Sequence, residues 1–292
     1  MIHAQLKNNR AFEHRAGLTV YRIVAYLFLT FISFLCLFFF YILIINATRA
    51  HSEIQTGFSF LPGKSLQANW NSLLQNEQLP MFRGILNSLF ISSGTALLAT
   101  YFSALTAYAV HAYDFKLKNF AFKFILLVMT VPSQVATLGF LRFISSWGWM
   151  DSYFPLIVPA ISSPIVFFFM KQYMESTLPL EIVEASRIDG SAEFFTFNRI
   201  VIPIMKPAMA VQAIFTFVGA WNNYFLPALV IRSAAKKTLP ILIAQLRTAD
   251  WLKFNMGQVY MAIALAILPI IIVYLCLSRF IVRGVTLGSV KG

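Results

Sequence analysis

The stretch Glu184-Ala185-Ser186-Arg187-Ile188-Asp189-Gly190 is followed, after nine intervening residues, by Ile200-Val201-Ile202-Pro203. It lies in a polar segment, 175–206, between strongly apolar runs. That segment holds five of the eleven acidic residues: Glu175, Glu181, Glu184, Asp189 and Glu193. Its local chemistry predicts a short helix of about ten residues lying outside the bilayer. Pro179 suits the first helical turn, where its missing N–H has no partner to lose. Glu181 and Glu184 fall early, where the helix dipole favours negative charge. Gly190 suits the position just past the helix end, where the backbone turns left-handed.

The flanking runs set the fold class. The chain of 292 residues is 59% hydrophobic and 12% charged, against roughly a quarter charged in soluble domains. A membrane span needs about 20 mostly apolar residues. Six runs qualify, at roughly 23–45, 84–110, 120–142, 153–174, 207–226 and 258–280. The expected fold is an all-α membrane protein of six transmembrane helices, with the short helix of the 175–206 segment outside the bilayer. It divides into a cytoplasmic N-terminal segment (1–22), a six-span domain (23–280) carrying the 175–206 loop, and a cytoplasmic tail (281–292). The apolar stretch Ile23–Ile45 exceeds the roughly 7–15 residues of a signal-peptide core, and no small-residue cleavage site follows, so it reads as a retained anchor.

Orientation follows from Lys and Arg, which accumulate on the cytoplasmic side. With the N-terminus inside, 14 of the 23 basic residues fall in inside segments. The bias is modest, and the loop at 227–255 opposes it with Arg232, Lys236, Lys237, Arg247 and Lys253 against one acid, Asp250. Those charges fit an acidic oligosaccharide or an acidic docking protein. The net charge of +12 does not imply nucleic acid, because the basic residues flank apolar spans instead of forming one stripe.

The spacing of the loop resembles the EAA signature of ABC importer permeases: Glu-Ala-Ala, Gly, then Ile-x-Leu-Pro. Ser186 stands for the second Ala and Ile202 for Leu. The ending Arg283-Gly-Val-Thr-Leu-Gly288-Ser-Val290-Lys291-Gly292 resembles the C-terminus of the shorter, maltose-transporter-type subunit, with Val285 in place of Leu. The two motifs together resemble a carbohydrate-uptake permease over nearly the whole chain. That resemblance implies a multi-pass subunit of a bacterial-type cytoplasmic (inner) membrane, with both termini cytoplasmic. It implies a second permease subunit in a heterodimer, two ATPase subunits and an external sugar-binding protein. ATPase coupling, through a cytoplasmic coupling helix, would fall to Glu181, Glu184, Ala185, Ser186, Asp189, Gly190, Ile200 and Pro203. The tail residues Gly288, Val290, Lys291 and Gly292 would reach the ATPases. This chain would bind no cofactor and no metal, with ATP and Mg on the partner ATPase.

Within the fifth span, Gln212, Thr216, Gly219 and Asn223 recur at i, i+4, i+7 and i+11, one side of a helix. Asn222 and Tyr224 complete the run Trp221-Asn-Asn-Tyr-Phe-Leu-Pro227. Polar groups in hydrocarbon must face protein or a watery path. These six residues are therefore candidates for the translocation path, and equally for interhelical hydrogen bonds. The second span carries Ser88, Ser92, Thr95, Ala99, Ser103 and Thr106 near one face, a pattern of close helix packing. Pro132, Pro155, Pro159 and Pro164 predict kinks or breaks.

Other chemistries lack their residues. Gly63-Lys64-Ser65 resembles the end of a phosphate-binding loop, but Phe58 occupies the position of the required first glycine. There is no Gly-x-Ser-x-Gly elbow and no His-Glu-x-x-His site. The four histidines are scattered, which argues against zinc. Cys36 and Cys276 fall inside apolar runs and are expected to be buried thiols. The chain is therefore not expected to be an enzyme. Two alternatives remain: a permease for another solute such as glycerol phosphate, and an intramembrane enzyme. The latter would have to use Glu181, Glu184 and Asp189, which lie in the loop and not at bilayer depth.

Overall fold

A computed structural model describes residues 2–76, 79–247 and 254–288, with side chains between Tyr21 and Ser278. Among the described residues every regular element is a helix. In order they are α1 (Ile2–Ala47), α2 (His51–Gln55), α3 (Leu66–Leu74), α4 (Met81–Ala112), α5 (Lys118–Met129), α6 (Ser133–Ser146), α7 (Phe154–Ile157), α8 (Pro164–Thr177), α9 (Leu180–Ile188), α10 (Glu193–Thr196), α11 (Ile202–Trp221), α12 (Phe225–Val230), α13 (Leu239–Arg247) and α14 (Met256–Gly288).

Five stretches are long and apolar enough to cross a membrane: Tyr21–Ala47, Met81–Ala112, Phe154–Thr177, Glu193–Trp221 and Met256–Ser278. The third expected span, 120–142, is not one helix. α5 and α6 meet at a bend of 100° and count as a sixth span only as a broken pair. Pro132 explains the break. It has no N–H to continue the helix, and it pushes Val131 away from the helical region. The fourth span is interrupted by a 3₁₀ turn at Val158–Ile161, between Pro155, Pro159 and Pro164. The fifth runs from Glu193, earlier than the sequence boundary of 207, through a π-helical segment at Phe197–Val201. Pro203 follows directly and can return no α-type bond to Arg199, consistent with a local change of register.

The chain divides into two compact units, 1–71 with 255–264, and 72–254 with 265–292. In the first, the end of α1 is fixed by buried polar groups. Arg49 donates to Asn46 Oδ1 (3.1 Å), to the Gly57 carbonyl (3.0 Å) and to the Glu53 carbonyl. The Asn69 amide donates to the carbonyls of Ala47 and Arg49, at 2.9 and 3.0 Å. The Gly63 N–H donates to Thr48 Oγ1 at 2.8 Å, and a Cβ there would sit 2.7 Å from the Thr48 carbonyl. Gly63 is thus a close-packing glycine, which accounts for the apparent phosphate-loop fragment. Cys36, expected buried, is exposed on α1, and Cys276 is exposed on α14. Both face outward among exposed apolar side chains, where lipid or a partner helix would cover them.

In the second unit α4 is central, packed against α8 and α11. Its small-residue face does the packing expected of it. A Cβ on Gly84 would come within 2.4 Å of Leu242. The hydroxyls on this face also satisfy irregular backbone nearby, which hydrocarbon could not. Ser88 Oγ accepts from the Leu239 N–H (2.8 Å), Thr95 donates to the Leu156 carbonyl (3.3 Å) and Ser103 to the Ser163 carbonyl (3.4 Å). Asn87 donates to the carbonyls of Ala235 and Lys237, at 3.0 and 2.9 Å. The apolar core lies between α4, α8 and the start of α11, around Met170, Met174, Val183, Phe197 and Met205.

Candidate functional site

The polar loop folds as its chemistry predicts, with one shift. Pro179 stands just before α9, extended at φ −62° and ψ 137°, and not in the first turn. It holds Leu178 extended as well, since the residue before a proline avoids the helical region. Glu181 lies in the first turn and Arg187 in the last, each at the end of the helix where its charge is favoured. The C-terminus closes as a Schellman motif. The Gly190 N–H donates to the Arg187 carbonyl (3.0 Å) and the Ser191 N–H to the Ser186 carbonyl (2.9 Å). Gly190 adopts φ +76°, the left-handed turn such a motif needs.

α9 presents two faces. Val183 and Ser186 are buried. The Ser186 hydroxyl donates to the Val183 carbonyl (2.7 Å) and lies 3.3 Å from Thr196 Oγ1, which also meets Ser191 Oγ at 2.8 Å. A serine is therefore accommodated where the signature has alanine, because its one polar group is satisfied. The other face, with Leu180, Glu181, Ile182, Glu184, Ala185 and Asp189, is exposed. Ile188 is 85% exposed, and Phe194 and Phe195 are exposed beyond the turn. Leu180 and Ile182 add two more exposed apolar side chains to this segment. Ile200 and Pro203 lie apart from this face, on the helix continuing into α11, Ile200 partly buried and Pro203 exposed.

The loop is pinned to the end of α4. His111 Nε2 donates to the Leu178 carbonyl at 3.0 Å. Arg187 Nε donates to Glu193 Oε1 at 2.6 Å, and the Tyr108 hydroxyl donates to Glu193 Oε2 at 2.8 Å. The Arg187 guanidinium also sits over the Tyr113 ring, 5.0 Å from its centre. Burial raises the Tyr113 hydroxyl above its ordinary pKa, and the Glu193 carboxylate raises it further. Tyr108 and Glu193 lie 85 residues apart, and nothing in the loop motif pointed to either contact.

The fifth-span candidates are not brought onto one helical face. α11 ends at Trp221, with Asn222 as its C-cap and Asn223 and Tyr224 in the break before α12. Pro227 supplies the reason: in a continuous helix it would owe an N–H to Asn223 and would clash with that carbonyl. Gln212 is buried and Thr216 partly buried, while Gly219, Asn222, Asn223 and Tyr224 are exposed. A Cβ on Gly219 would meet nothing within 4 Å. The end of α11 is anchored by Trp221, 2% exposed, whose Nε1 donates to the Ala266 carbonyl at 3.1 Å.

Sequence reasoning missed a cavity of about 280 Å³ beside the break in the fourth span. It is lined by Ser103, Thr106, Ser162 and Ser163 together with apolar residues that include Phe124 and Phe167. Ser163 occupies the N-cap of α8 without capping it. Also missed was Asp151, at φ 55°. Its carboxylate accepts from the N–H groups of Arg232 and Ser233 (2.9 Å each), from the Ser233 hydroxyl and from Lys236. These bonds, the Ser233 hydroxyl foremost, hold its pKa well below the usual carboxylate range. Val290, Lys291 and Gly292 lie outside the described residues, as does Asp250, and α14 is described to Gly288.

The family model of the binding-protein-dependent transport system inner membrane component matches residues 99–287. The arabinooligosaccharides transport system permease protein AraQ of Bacillus subtilis (strain 168) is 33% identical over 285 residues, 96% of this chain and 99% of its own length. The sn-glycerol-3-phosphate transport system permease protein UgpE of Yersinia pestis bv. Antiqua (strain Antiqua) is 29% identical over 277 residues, 93% and 97% of the two chains. A chain from a bacterial ABC transporter involved in the import of the acidic polysaccharide alginate superposes with a TM-score of 0.75. It covers 89% of this chain and 96% of its own at 19% identity, a likeness of fold.

Proposed function

The chain belongs to the family of binding-protein-dependent transport system inner membrane components, and on that premise we propose that it is the permease subunit through which a sugar or oligosaccharide crosses the membrane. The observation that carries this reading is the match to a sugar-transport permease over 96% of the chain at 33% identity. The loop geometry supports it. α9 is a short helix fixed on its buried face and bare on its apolar face, as a docking element for another subunit requires.

In this reading α9 lies on the cytoplasmic side and docks on an ATPase subunit through Leu180, Ile182, Ile188 and the carboxylates of Glu181 and Glu184. ATP and Mg bind there, since Phe58 breaks the one phosphate-loop fragment in this chain. A second permease subunit completes the passage and an external binding protein delivers the solute. ATP binding closes the ATPases, α9 moves with them, and the spans exchange inward for outward access. Gly219, Asn222, Asn223 and Tyr224, exposed at the end of α11, line the passage from this side. The glycerol phosphate relatives, at 29% identity over 93% of the chain, favour a second reading as a glycerol phosphate permease.

The test is uptake by the complete transporter in proteoliposomes, with arabinotriose and sn-glycerol 3-phosphate offered separately, each with its binding protein. ATP-dependent accumulation of arabinotriose supports the sugar reading, and accumulation of glycerol phosphate alone replaces it. Asn223→Leu should then lower uptake while leaving the subunits assembled. Failure of assembly would instead make Asn223 a packing residue.

A further inference from the structure

Glu193 is the only residue whose two carboxylate oxygens join α9 to α4 among the described residues. Oε1 takes the Arg187 Nε–H at 2.6 Å, and Oε2 takes the Tyr108 hydroxyl at 2.8 Å. Arg187 stands on the last turn of α9, Tyr108 on the last turns of α4, and Glu193 begins the helix that becomes the fifth span. Three elements are thus tied at one side chain. Tyr108 is 3% exposed, and its ring packs 5.6 Å from that of Phe197, so its hydroxyl is held in place. Arg187 is held from the other side by the Tyr113 ring and by the Ala112 carbonyl at 3.4 Å.

The exposure of this pair separates two roles. The Arg187 and Glu193 side chains are 35% and 39% exposed, and an ion pair so open to solvent adds little to stability. The apolar contacts of Val183 and the hydroxyl contacts of Ser186 and Thr196 already hold the loop down. What the carboxylate adds is a defined direction, because two charge-assisted or phenolic hydrogen bonds at opposite oxygens fix the angle of α9 to α4.

We propose that Glu193 is a positioning residue, which locks α9 to the end of α4 so that displacement of α9 is passed to α4 and to the fifth span together. The inference rests on the permease reading above. The Glu193–Arg187–Tyr108 node transmits; it touches neither nucleotide nor solute.

The experiment uses the complete transporter in proteoliposomes, with arabinotriose and its binding protein as probe. Glu193→Ala, Glu193→Gln and Tyr108→Phe are compared with wild type for subunit stoichiometry, thermal midpoint, ATP turnover and solute moved per ATP. Glu193→Ala should assemble normally, keep its midpoint, and move at least threefold less solute per ATP. Glu193→Gln, which still accepts from Tyr108, should fall between, and Tyr108→Phe should resemble it. A wild-type ratio in Glu193→Ala, or a loss of ratio that only follows loss of assembly, overturns the proposal. Absence of ATP-driven arabinotriose uptake in the wild type would instead overturn the sugar assignment beneath it, and the same variants are then compared with sn-glycerol 3-phosphate.

Discussion

Gly190 allows the end of α9 to be perturbed in graded steps, because its surroundings separate backbone strain from steric clash. Its φ is +76°, and a Cβ built there meets nothing within 4 Å. Gly190→Ala therefore adds only the cost of holding an L-residue left-handed, about 1–2 kcal/mol. Gly190→Asn should cost less, since asparagine tolerates that region. Gly190→Pro is different in kind. Proline fixes φ near −65°, a rotation of about 140° from the native value. It also deletes the N–H that bonds Arg187 at 3.0 Å, and the displaced chain takes the Ser191-to-Ser186 bond with it. Two bonds at about 0.5–1.5 kcal/mol each, added to strain on the order of 1–3 kcal/mol, exceed what a nine-residue helix end can absorb. The last turn of α9 should unwind, taking Ile188 and Arg187 out of position. Since about 1.4 kcal/mol is a tenfold change in a population, uptake per ATP should fall in the order Asn, Ala, Pro. Insertion and expression should persist, because the spans are untouched. The assay is solute accumulated per ATP hydrolysed by the reconstituted transporter. Near-normal coupling in Gly190→Pro, or an alanine variant as damaged as the proline one, would refute the reasoning.

Ser186→Ala should change thermal stability by no more than about 1 kcal/mol, because it removes a hydroxyl together with its local partners' need for it. Ser186→Leu should lower stability by about 1–3 kcal/mol through overpacking against Thr196 and Val183, read as a drop in the melting midpoint of the purified complex. The Asp151 clamp gives a pH prediction. Its folded pKa is depressed, so its contribution is fully present above the ordinary aspartate range and is lost only as pH falls through the lower folded value. Lowering the pH from 7 to 5 should therefore leave the clamp intact in wild type. Asp151→Asn should loosen the 147–153 and 230–236 loops at both pH values, read as faster hydrogen exchange at Arg232 and Ser233. Exchange that rises in wild type across that range would contradict the assignment.

The parts of the fold legible in sequence were those set by local chemistry. Apolar length located the spans, and the loop's own residues placed the left-handed end of α9 and, one residue early, its start, because capping depends on a few neighbouring groups. The breaks were legible only in outline. Pro132 marked a kink, but a bend of 100° depends on what the two halves pack against. Helical spacing put Asn223 in line with Gln212 and Thr216, yet Pro227, four residues on, ends the helix before that register reaches it. The node at Glu193 could not be read at all, since its partner Tyr108 belongs to a helix brought alongside only by tertiary packing. The hydroxyls of α4 had a legible type and an illegible purpose: only the fold shows that they satisfy the backbone of broken neighbours.

The central claim is that the exposed face of α9 docks on an ATPase subunit. A photo-reactive residue at Ile188, 85% exposed, in membranes carrying the complete transporter, tests it most directly. The account predicts an adduct with the ATPase whose yield changes when ATP is added. A control residue at Leu138, exposed on α6, should give no such adduct. An Ile188 residue that cross-links to lipid or to the external binding protein, and never to the ATPase, would contradict the account.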